Sequence, residues 1–302
     1  MIEQTIAGGI QAAGAAMPLA PSIDRRSGLS HREFVTEYLQ TLRPVILTDV
    51  IGHWKAMDRW TPEMFKDMYG GREMTIDGRS YNFAEFIDLV LASNSERPAP
   101  YMRNALIEAW APELLGDISP LPSCTRPNWF ESLLFPSRRS FTYLELYIGG
   151  SGASFPVLHY DGLHTHAFLM QVFGRKRFIV FSPEQSPYLY PGTHGGKSNS
   201  QINDVEHPDL ARFPLFARAV PIEFVIEPGE TLFVPAGWWH TTRMLSPSIT
   251  ISANTANASN WSAFSEDYVD DTRRHRSAWL ATGLKLYLAV FGIVQPVLDL
   301  LR

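Results

Sequence analysis

His159-Tyr160-Asp161 and His240 are the residues whose types and spacing suit metal chemistry. Alternate side chains of an extended chain share a face, so His159 and Asp161 project together. An imidazole and a carboxylate are two donors of a 2-His-1-carboxylate triad, the set that binds iron and leaves three cis positions open. The second imidazole must come from elsewhere. His240 follows the strand pattern 230–234 and the turn Pro235-Ala-Gly-Trp-Trp, which would deliver it at a barrel rim. Taken alone, His-x-Asp reads more readily as an exposed, hydrogen-bonded histidine beside a solvated aspartate, and only the surrounding strands change that. Trp238 and Trp239 either set the approach of His240 or are core aromatics.

Two neighbouring patterns add weight. In Lys176-Arg-Phe-Ile-Val-Phe181 the lysine shares a face with Phe178 and Val180, so an inward apolar face carries an ammonium inward with it. A buried ammonium needs an anion, and no acid adjacent in sequence supplies one; a bound dicarboxylate would. The alternative is a lysine snorkelling to the rim. In Ser248-Ile-Thr-Ile-Ser-Ala-Asn254, Ser248, Thr250, Ser252 and Asn254 form one face and Ile249, Ile251 and Ala253 the other. A polar face suits a ligand cavity, yet periodicity does not say which face points inward.

These residues need a scaffold. Short β-branched and aromatic runs at 141–148, 167–173, 176–181, 222–226, 230–234 and 248–254 alternate with Gly, Pro, Asn and Ser, which predicts an antiparallel barrel or double-sheet jelly roll over about 120–262. Before it, the capping box Ser30-x-x-Glu33 opens a helix to about Leu42, and Pro44 precedes a short strand from Val45. Thr61-Pro62 opens a second helix closed by Gly70-Gly71, and a third spans Phe83 to Leu91. Residues 1–29 read as a loose arm, 30–262 as a single domain and 263–302 as a helical tail. From Ala278 to Leu301 the chain is mostly apolar, interrupted by Lys285, Gln295, Pro296 and Asp299. It reads as a sticky helix with a second turn begun at Pro296, packed or dimer-forming in preference to lying on a membrane, with a spanning helix last.

Composition narrows the classes. Of 302 residues, 45% are hydrophobic and 19% charged, ordinary values that exclude a disordered chain. Lys+Arg total 26 against 31 Asp+Glu, so general nucleic-acid binding is not expected. The single cysteine, Cys124, forbids an internal disulfide and removes Cys-rich zinc and iron–sulfur schemes. Met-Ile-Glu-Gln lacks the positive region of a secretory signal, so the Asn-x-Ser matches at Asn257 and Asn260 read as idle and the expected compartment is cytoplasmic.

Taken in order, His159-x-Asp161, Gln171-Val-x-Gly-Arg-Lys176, Pro228-Gly229-Glu230, Pro235-x-x-Trp-Trp-His240 and Thr250-Ile-x-x-Asn254 resemble the cupin-type JmjC hydroxylases, above all the asparaginyl hydroxylases that inhibit hypoxia-inducible factor. The similarity runs from about Arg43 to Trp261. It implies a mainly β fold, a double-stranded β-helix (jelly roll) with flanking N-terminal and C-terminal helices, and a dioxygenase using Fe(II), 2-oxoglutarate and O₂ with release of succinate and CO₂. Carried over by motif, His159, Asp161 and His240 would bind iron. Lys176 and Tyr101 would meet the distal carboxylate of 2-oxoglutarate, and Asn254 its metal-bound end. The family threonine expected shortly before the first histidine is replaced around Phe155-Pro156. The family asparagine after the aspartate gives way to Leu163-His-Thr-His166, where Thr165 or His166 would take over a cosubstrate contact; His164 and His166 are not assigned to metal. The resemblance also implies a homodimer through C-terminal helices. Three functions remain in play: a protein or peptide hydroxylase, a hydroxylase of a small molecule or lipid-linked sugar with peripheral membrane contact, and a metal-binding cupin without turnover.

Overall fold

The computed structural model describes residues 22–136, 144–192 and 197–300. Most of the predicted arm and the first residues of the predicted strand 141–148 lie outside that range. The strands are β1 (Asp24–Arg26), β2 (Val45–Leu47), β3 (Glu73–Ile76), β4 (Arg79–Asn82), β5 (Met102–Leu106), β6 (Leu144–Gly149), β7 (His166–Phe173), β8 (Lys176–Phe181), β9 (Ile222–Ile226), β10 (Thr231–Val234), β11 (Trp239–Met244) and β12 (Ser248–Thr255). The helices are α1 (His31–Phe34), α2 (Ala56–Arg59), α3 (Pro62–Tyr69), α4 (Phe83–Ala92), α5 (Ile107–Trp110), α6 (Trp261–His275) and α7 (Ala278–Asp299).

Seven strands form one sheet in the order β1-β2-β10-β7-β12-β6-β5, and three form a second, β11-β8-β9. All their pairings are antiparallel except β1 with β2. Ile46, Ala167, Leu232 and Val234 of the large sheet meet Phe178, Val180 and Ile226 of the small one, which is the inter-sheet core of a jelly roll. The outer face of the large sheet (Leu146, Ile148, Phe168, Met170, Ile249, Ile251) is covered by Phe34, Phe65, Phe83, Phe86 and their neighbours from the N-terminal helices. This contact decides the orientation of β12: its isoleucines face the helices, so Ser248, Thr250, Ser252 and Asn254 face the barrel interior.

Several local expectations hold. Ser30 and Glu33 form the reciprocal capping box of α1, which continues as a π-turn to Leu39. Thr61 caps α3 ahead of Pro62. Three differ. The large sheet takes β1, β2 and β5 from before residue 120, so its edges are built by the N-terminal region. His240 does follow that turn, but it lies in a strand, β11, that is absent from the predicted runs. Pro296 does not start a second turn: α7 runs through it to Asp299, with the buried Gln295 side chain bonded to Ser132 Oγ at 2.7 Å and to Asp299 at 2.8 Å. Asn257 and Asn260, the two sequon residues, are buried and internally bonded; Asn260 Nδ2 donates to the His164 carbonyl at 2.8 Å.

Candidate active site

His159 and His240 are brought together by backbone pairing before any side chain is considered. They form an isolated antiparallel bridge, with His159 N–H donating to the His240 carbonyl at 3.1 Å and His240 N–H returning to the His159 carbonyl at 2.6 Å. Their ring centroids stand 4.4 Å apart. Each Nδ1 is 3.1 Å from the carbonyl oxygen two residues earlier, Val157 for His159 and Trp238 for His240. An Nδ1–H donating to a carbonyl fixes the tautomer and leaves Nε2 as a free acceptor. His240 Nε2 lies 3.9 Å from Asp161 Oδ2, and donor atoms of His159, Asp161 and His240 all lie within 4.8 Å of one another.

The electrostatics of this cluster suit a cation. Asp161 Oδ2 is buried without a hydrogen-bond partner. Burial raises the Asp161 carboxyl above its ordinary range, opposed by His240 and the Asn254 amide. Burial, and then His240, push His159 down to about 3, so it is neutral at ordinary pH and ready to ligate. Two neutral imidazoles and an unsatisfied carboxylate oxygen, converging in a partly enclosed cavity, fit a divalent metal ion of the kind a facial triad holds.

Lys176 lies across the same cavity. It is 2% exposed, and Nζ donates to Thr250 Oγ1 at 2.8 Å and Tyr101 Oη at 3.2 Å. No carboxylate pairs with it among the described residues, and burial lowers it to about 7. Thr250 in turn donates to Gln171 Oε1 at 2.8 Å, and Gln171 Nε2 donates to Ser248 Oγ at 2.8 Å, so the polar face of β12 anchors the ammonium. Opposite strands supply the rest through register: β11 pairs His240 with Val180, Thr242 with Phe178 and Met244 with Lys176.

The seven residues singled out in the sequence, Tyr101, His159, Asp161, Thr165, Lys176, His240 and Asn254, all line one cavity of about 370 Å³. Asn254 Nδ2 donates to Thr165 Oγ1 at 2.9 Å, tying the turn after Asp161 to β12. Of the two candidates for the replaced asparagine contact, Thr165 faces the cavity and His166 does not. His166 is on the outer face of β7 with Phe168, where it bonds Ser259 Oγ at 2.9 Å and the Ala236 N–H at 3.0 Å. His164 bonds Asp267 of α6 at 2.6 Å and is part of the loop's anchorage. Phe155, standing near the missing threonine, stacks on His159 with centroids 4.3 Å apart and 20° between planes, an apolar cover in place of a hydroxyl. Trp239 packs edge-on against Tyr160 and Trp238 donates to the Leu42 carbonyl, so both tryptophans support β11 from outside the cavity.

A cluster missed in the sequence lines the cavity as well. The buried Glu145 accepts from Asn104 Nδ2 at 3.0 Å and Tyr147 Oη at 2.9 Å. Burial raises Glu145, the two hydrogen bonds lower it, and Asp161 adds a raising influence. The available signal was alternation: Glu145 and Tyr147 share a face of β6, opposite Ser252 and Thr250 of β12.

Comparison with known proteins agrees with this geometry. A model of the cupin-like domain matches residues 31–266. Lysine-specific demethylase JMJ21 of Arabidopsis thaliana is 32% identical over 251 residues, covering 80% of this chain and 26% of that protein. Lysine-specific demethylase 8 of Xenopus tropicalis is 28% identical over 250 residues, covering 78% and 54%. Arginine-specific demethylase JMJ22 of Arabidopsis thaliana is 26% identical over 245 residues, covering 79% and 47%. The chain thus spans about half the length of these relatives or less. Their names are those of demethylases; the narrower likeness to asparaginyl hydroxylases rests on the motifs alone. With a jelly roll, an interior His-Asp-His cluster and this match over most of its length, the chain belongs to the cupin-like domain family and is of the JmjC type.

Proposed function

We propose that the chain is an Fe(II)- and 2-oxoglutarate-dependent oxygenase that hydroxylates an unactivated C–H bond of a protein or peptide side chain, with release of succinate and CO₂. The observation that carries this reading is the pairing, in one cavity, of a three-donor cluster with an ammonium that has no anionic partner among the described residues. His159 and His240, through Nε2, and Asp161 would hold the metal, which when bound supplies oxygen activation coupled to oxidative decarboxylation of the cosubstrate. Lys176 and Tyr101 bind the distal carboxylate of the diacid, replacing the water that burial removed. Thr165 and Asn254 orient its other end, and Phe155 keeps water off the His159 side. Asp161 and the histidines need no proton-transfer role.

The relatives' demethylase names support a protein side chain as substrate, since demethylation by such enzymes begins as hydroxylation of a methyl group. A second reading, a small-molecule or lipid-linked substrate met at a membrane surface, would draw on the exposed apolar side of α7, which is long and apolar enough by composition to cross a bilayer. A cupin without turnover would have little use for an unpaired buried Lys176. A single buried cysteine fits a cytoplasmic setting. We also propose a homodimer through α7, argued below at the scale of the molecule.

Incubating the iron-loaded chain with 2-oxoglutarate, air and cell extract should yield succinate and a product about 16 Da heavier, one oxygen atom, absent with Asp161→Ala. A wild-type protein that binds iron and forms no succinate would sink the oxygenase reading.

A further inference from the structure

Asp161 is the donor of the cluster that is held least directly. Its Oδ2 has no hydrogen-bond partner, whereas each histidine is fixed by an Nδ1 contact and by the backbone bridge between the two. The direction of such a carboxylate is set largely by its own backbone. Upstream that backbone is tied, with Tyr160 N–H donating to the Ser198 carbonyl at 2.9 Å. Downstream it enters the turn Gly162–His164 at once, so whatever shapes the turn also aims Asp161.

That turn is strained. Leu163 has φ 58° and ψ 24°, and His164 has φ 49°. Two consecutive left-handed residues are the pattern of a type I′ turn, which Asn-Gly adopts easily and Leu-His does not. Left-handed backbone at residues with a Cβ persists only where the surroundings over-determine it. Here the anchors come chiefly from α6. The Asp267 carboxylate accepts from His164 Nδ1 at 2.6 Å, and Asn260, just before α6, donates from Nδ2 to the His164 carbonyl at 2.8 Å. Leu163 packs against the cluster that includes Trp261 and Phe264 of the same helix. The turn's own closing bond, from Thr165 N–H to the Gly162 carbonyl, is long at 3.4 Å, so the turn depends on these outside contacts. The Asp267 bond is the charge-assisted one among them. Asp267 lines the outer cleft and not the catalytic cavity.

We propose that Asp267 is a positioning residue for the metal site: through His164 it holds the left-handed turn that aims Asp161 at the two imidazoles. This rests on the donor-cluster part of the oxygenase reading and adds to it a residue outside the cavity. Without the bond the turn relaxes toward right-handed backbone, Asp161 leaves the cluster, and the donor set falls to two imidazoles. Glycine at position 163 takes the left-handed conformation freely, which removes the need for the anchor.

Co(II), an optical stand-in for Fe(II), is titrated into the full chain without oxygen, and its d–d absorption reads both affinity and donor set. Asp267→Ala should bind Co(II) roughly 10- to 100-fold more weakly than wild type, with an altered spectrum. Asp267→Asn should stay within about threefold of wild type, because its amide oxygen still accepts from His164. Leu163→Gly added to Asp267→Ala should recover most of the loss. His164→Phe keeps a ring against Tyr160 but cannot donate, so it should match the alanine variant and add nothing to it in combination. That variant carries the test should Asp267→Ala not fold. Wild-type affinity and spectrum in Asp267→Ala overturn the assignment. So do an asparagine variant as weak as alanine, a glycine double variant no better than alanine, and additive losses from His164 and Asp267. A wild type that takes up no Co(II) removes the donor cluster and this inference with it. One that binds Co(II) but, loaded with iron, forms no succinate defeats the oxygenase reading while the variant series still decides Asp267.

Discussion

Lys176 shows most directly how a single residue couples stability to ligand binding. Folding moves it from 10.5 to about 7 by burial. Between those values the unfolded chain carries a proton that the folded chain lacks. The penalty of the buried ammonium is therefore full below about pH 7, and stability gained from its relief rises with pH up to 10.5. Cosubstrate binding has the opposite sign, because the diacid requires the ammonium: affinity for 2-oxoglutarate should fall as pH rises through about 7, and binding at about pH 8 should take up a proton. Isothermal titration calorimetry in buffers of different ionisation heat reads that proton. Lys176→Met should weaken 2-oxoglutarate by roughly two to three orders of magnitude while leaving the ligand-free Tm at or above that of wild type. A pH-independent affinity, or tight binding by the methionine variant, would reject the role. Lys176 and the pair His159 and Asp161 were legible in the sequence because period-two geometry forces a residue onto its neighbours' face, whereas His240 joined them through its motif and the family resemblance. Glu145 was not legible. In β6 both faces are buried, Leu146 and Ile148 beneath the helices and Glu145 toward the cavity, and an acid in such a run reads as a solvated residue until the β5 bulge and the β12 register are known.

At the scale of elements, the turn between β7 and β8 sets where Lys176 enters the cavity. Gly174 sits there with φ 71°, and a Cβ on it would come within 1.8 Å of the Pro247 carbonyl oxygen, a backbone atom that cannot swing aside. Gln171 Nε2 also donates to the Gly174 carbonyl at 2.9 Å, so the turn is tied to the network that holds the ammonium. Gly174→Ala should destabilise the fold by about 1–3 kcal/mol through the strained dihedral alone, more with the clash, and should weaken 2-oxoglutarate binding in parallel. Urea unfolding and calorimetry on the same samples test both; an alanine variant of wild-type stability would show that the turn is softer than its geometry implies. The strands of the core were readable where they are apolar. They were not where β11 carries His240-Thr-Thr-Arg243, whose polar inner face is functional and whose outer face packs through Trp239. The inward face of β12 was undecidable from its own residues, since the answer lies in Phe34, Phe65 and Phe86, which cover the opposite side of the sheet.

At the scale of the whole molecule, α7 is the element whose packing is unfinished. Leu288 and Phe291 are buried against Trp129, Trp261 and Phe264, whereas Trp279, Leu286, Val290, Ile293, Val297 and Leu300 are exposed, Trp279 and Ile293 each by 75%. With Gly283, these positions step alternately by four and three residues, the 3.5-residue spacing of a coiled-coil seam, and Leu280, Tyr287 and Val294 widen it to one side. A membrane-surface helix would flank such a stripe with cations, and α7 offers Lys285 as its one basic residue. A seam of this spacing is complementary to another helix of the same kind, and the partner always present at matching concentration is a second copy of the chain. Two copies of α6 and α7 would then complete a four-helix arrangement, with the exposed Leu133 and Leu134 at its margin, Leu134 being tied to α7 through Tyr287. Burying one Leu or Ile side chain contributes about 1.5–3 kcal/mol, so Ile293→Lys should raise the dimer dissociation constant by roughly one to two orders of magnitude, and the double change with Leu286→Lys by more. Light scattering of wild type and variants across a concentration series reads this directly. The cavity lies on the opposite side of the loop that His164 anchors to α6, so the variants should still bind 2-oxoglutarate, separating loss of association from loss of fold. A wild-type chain that is monomeric in solution and floats with phosphatidylcholine vesicles would assign the stripe to a membrane instead.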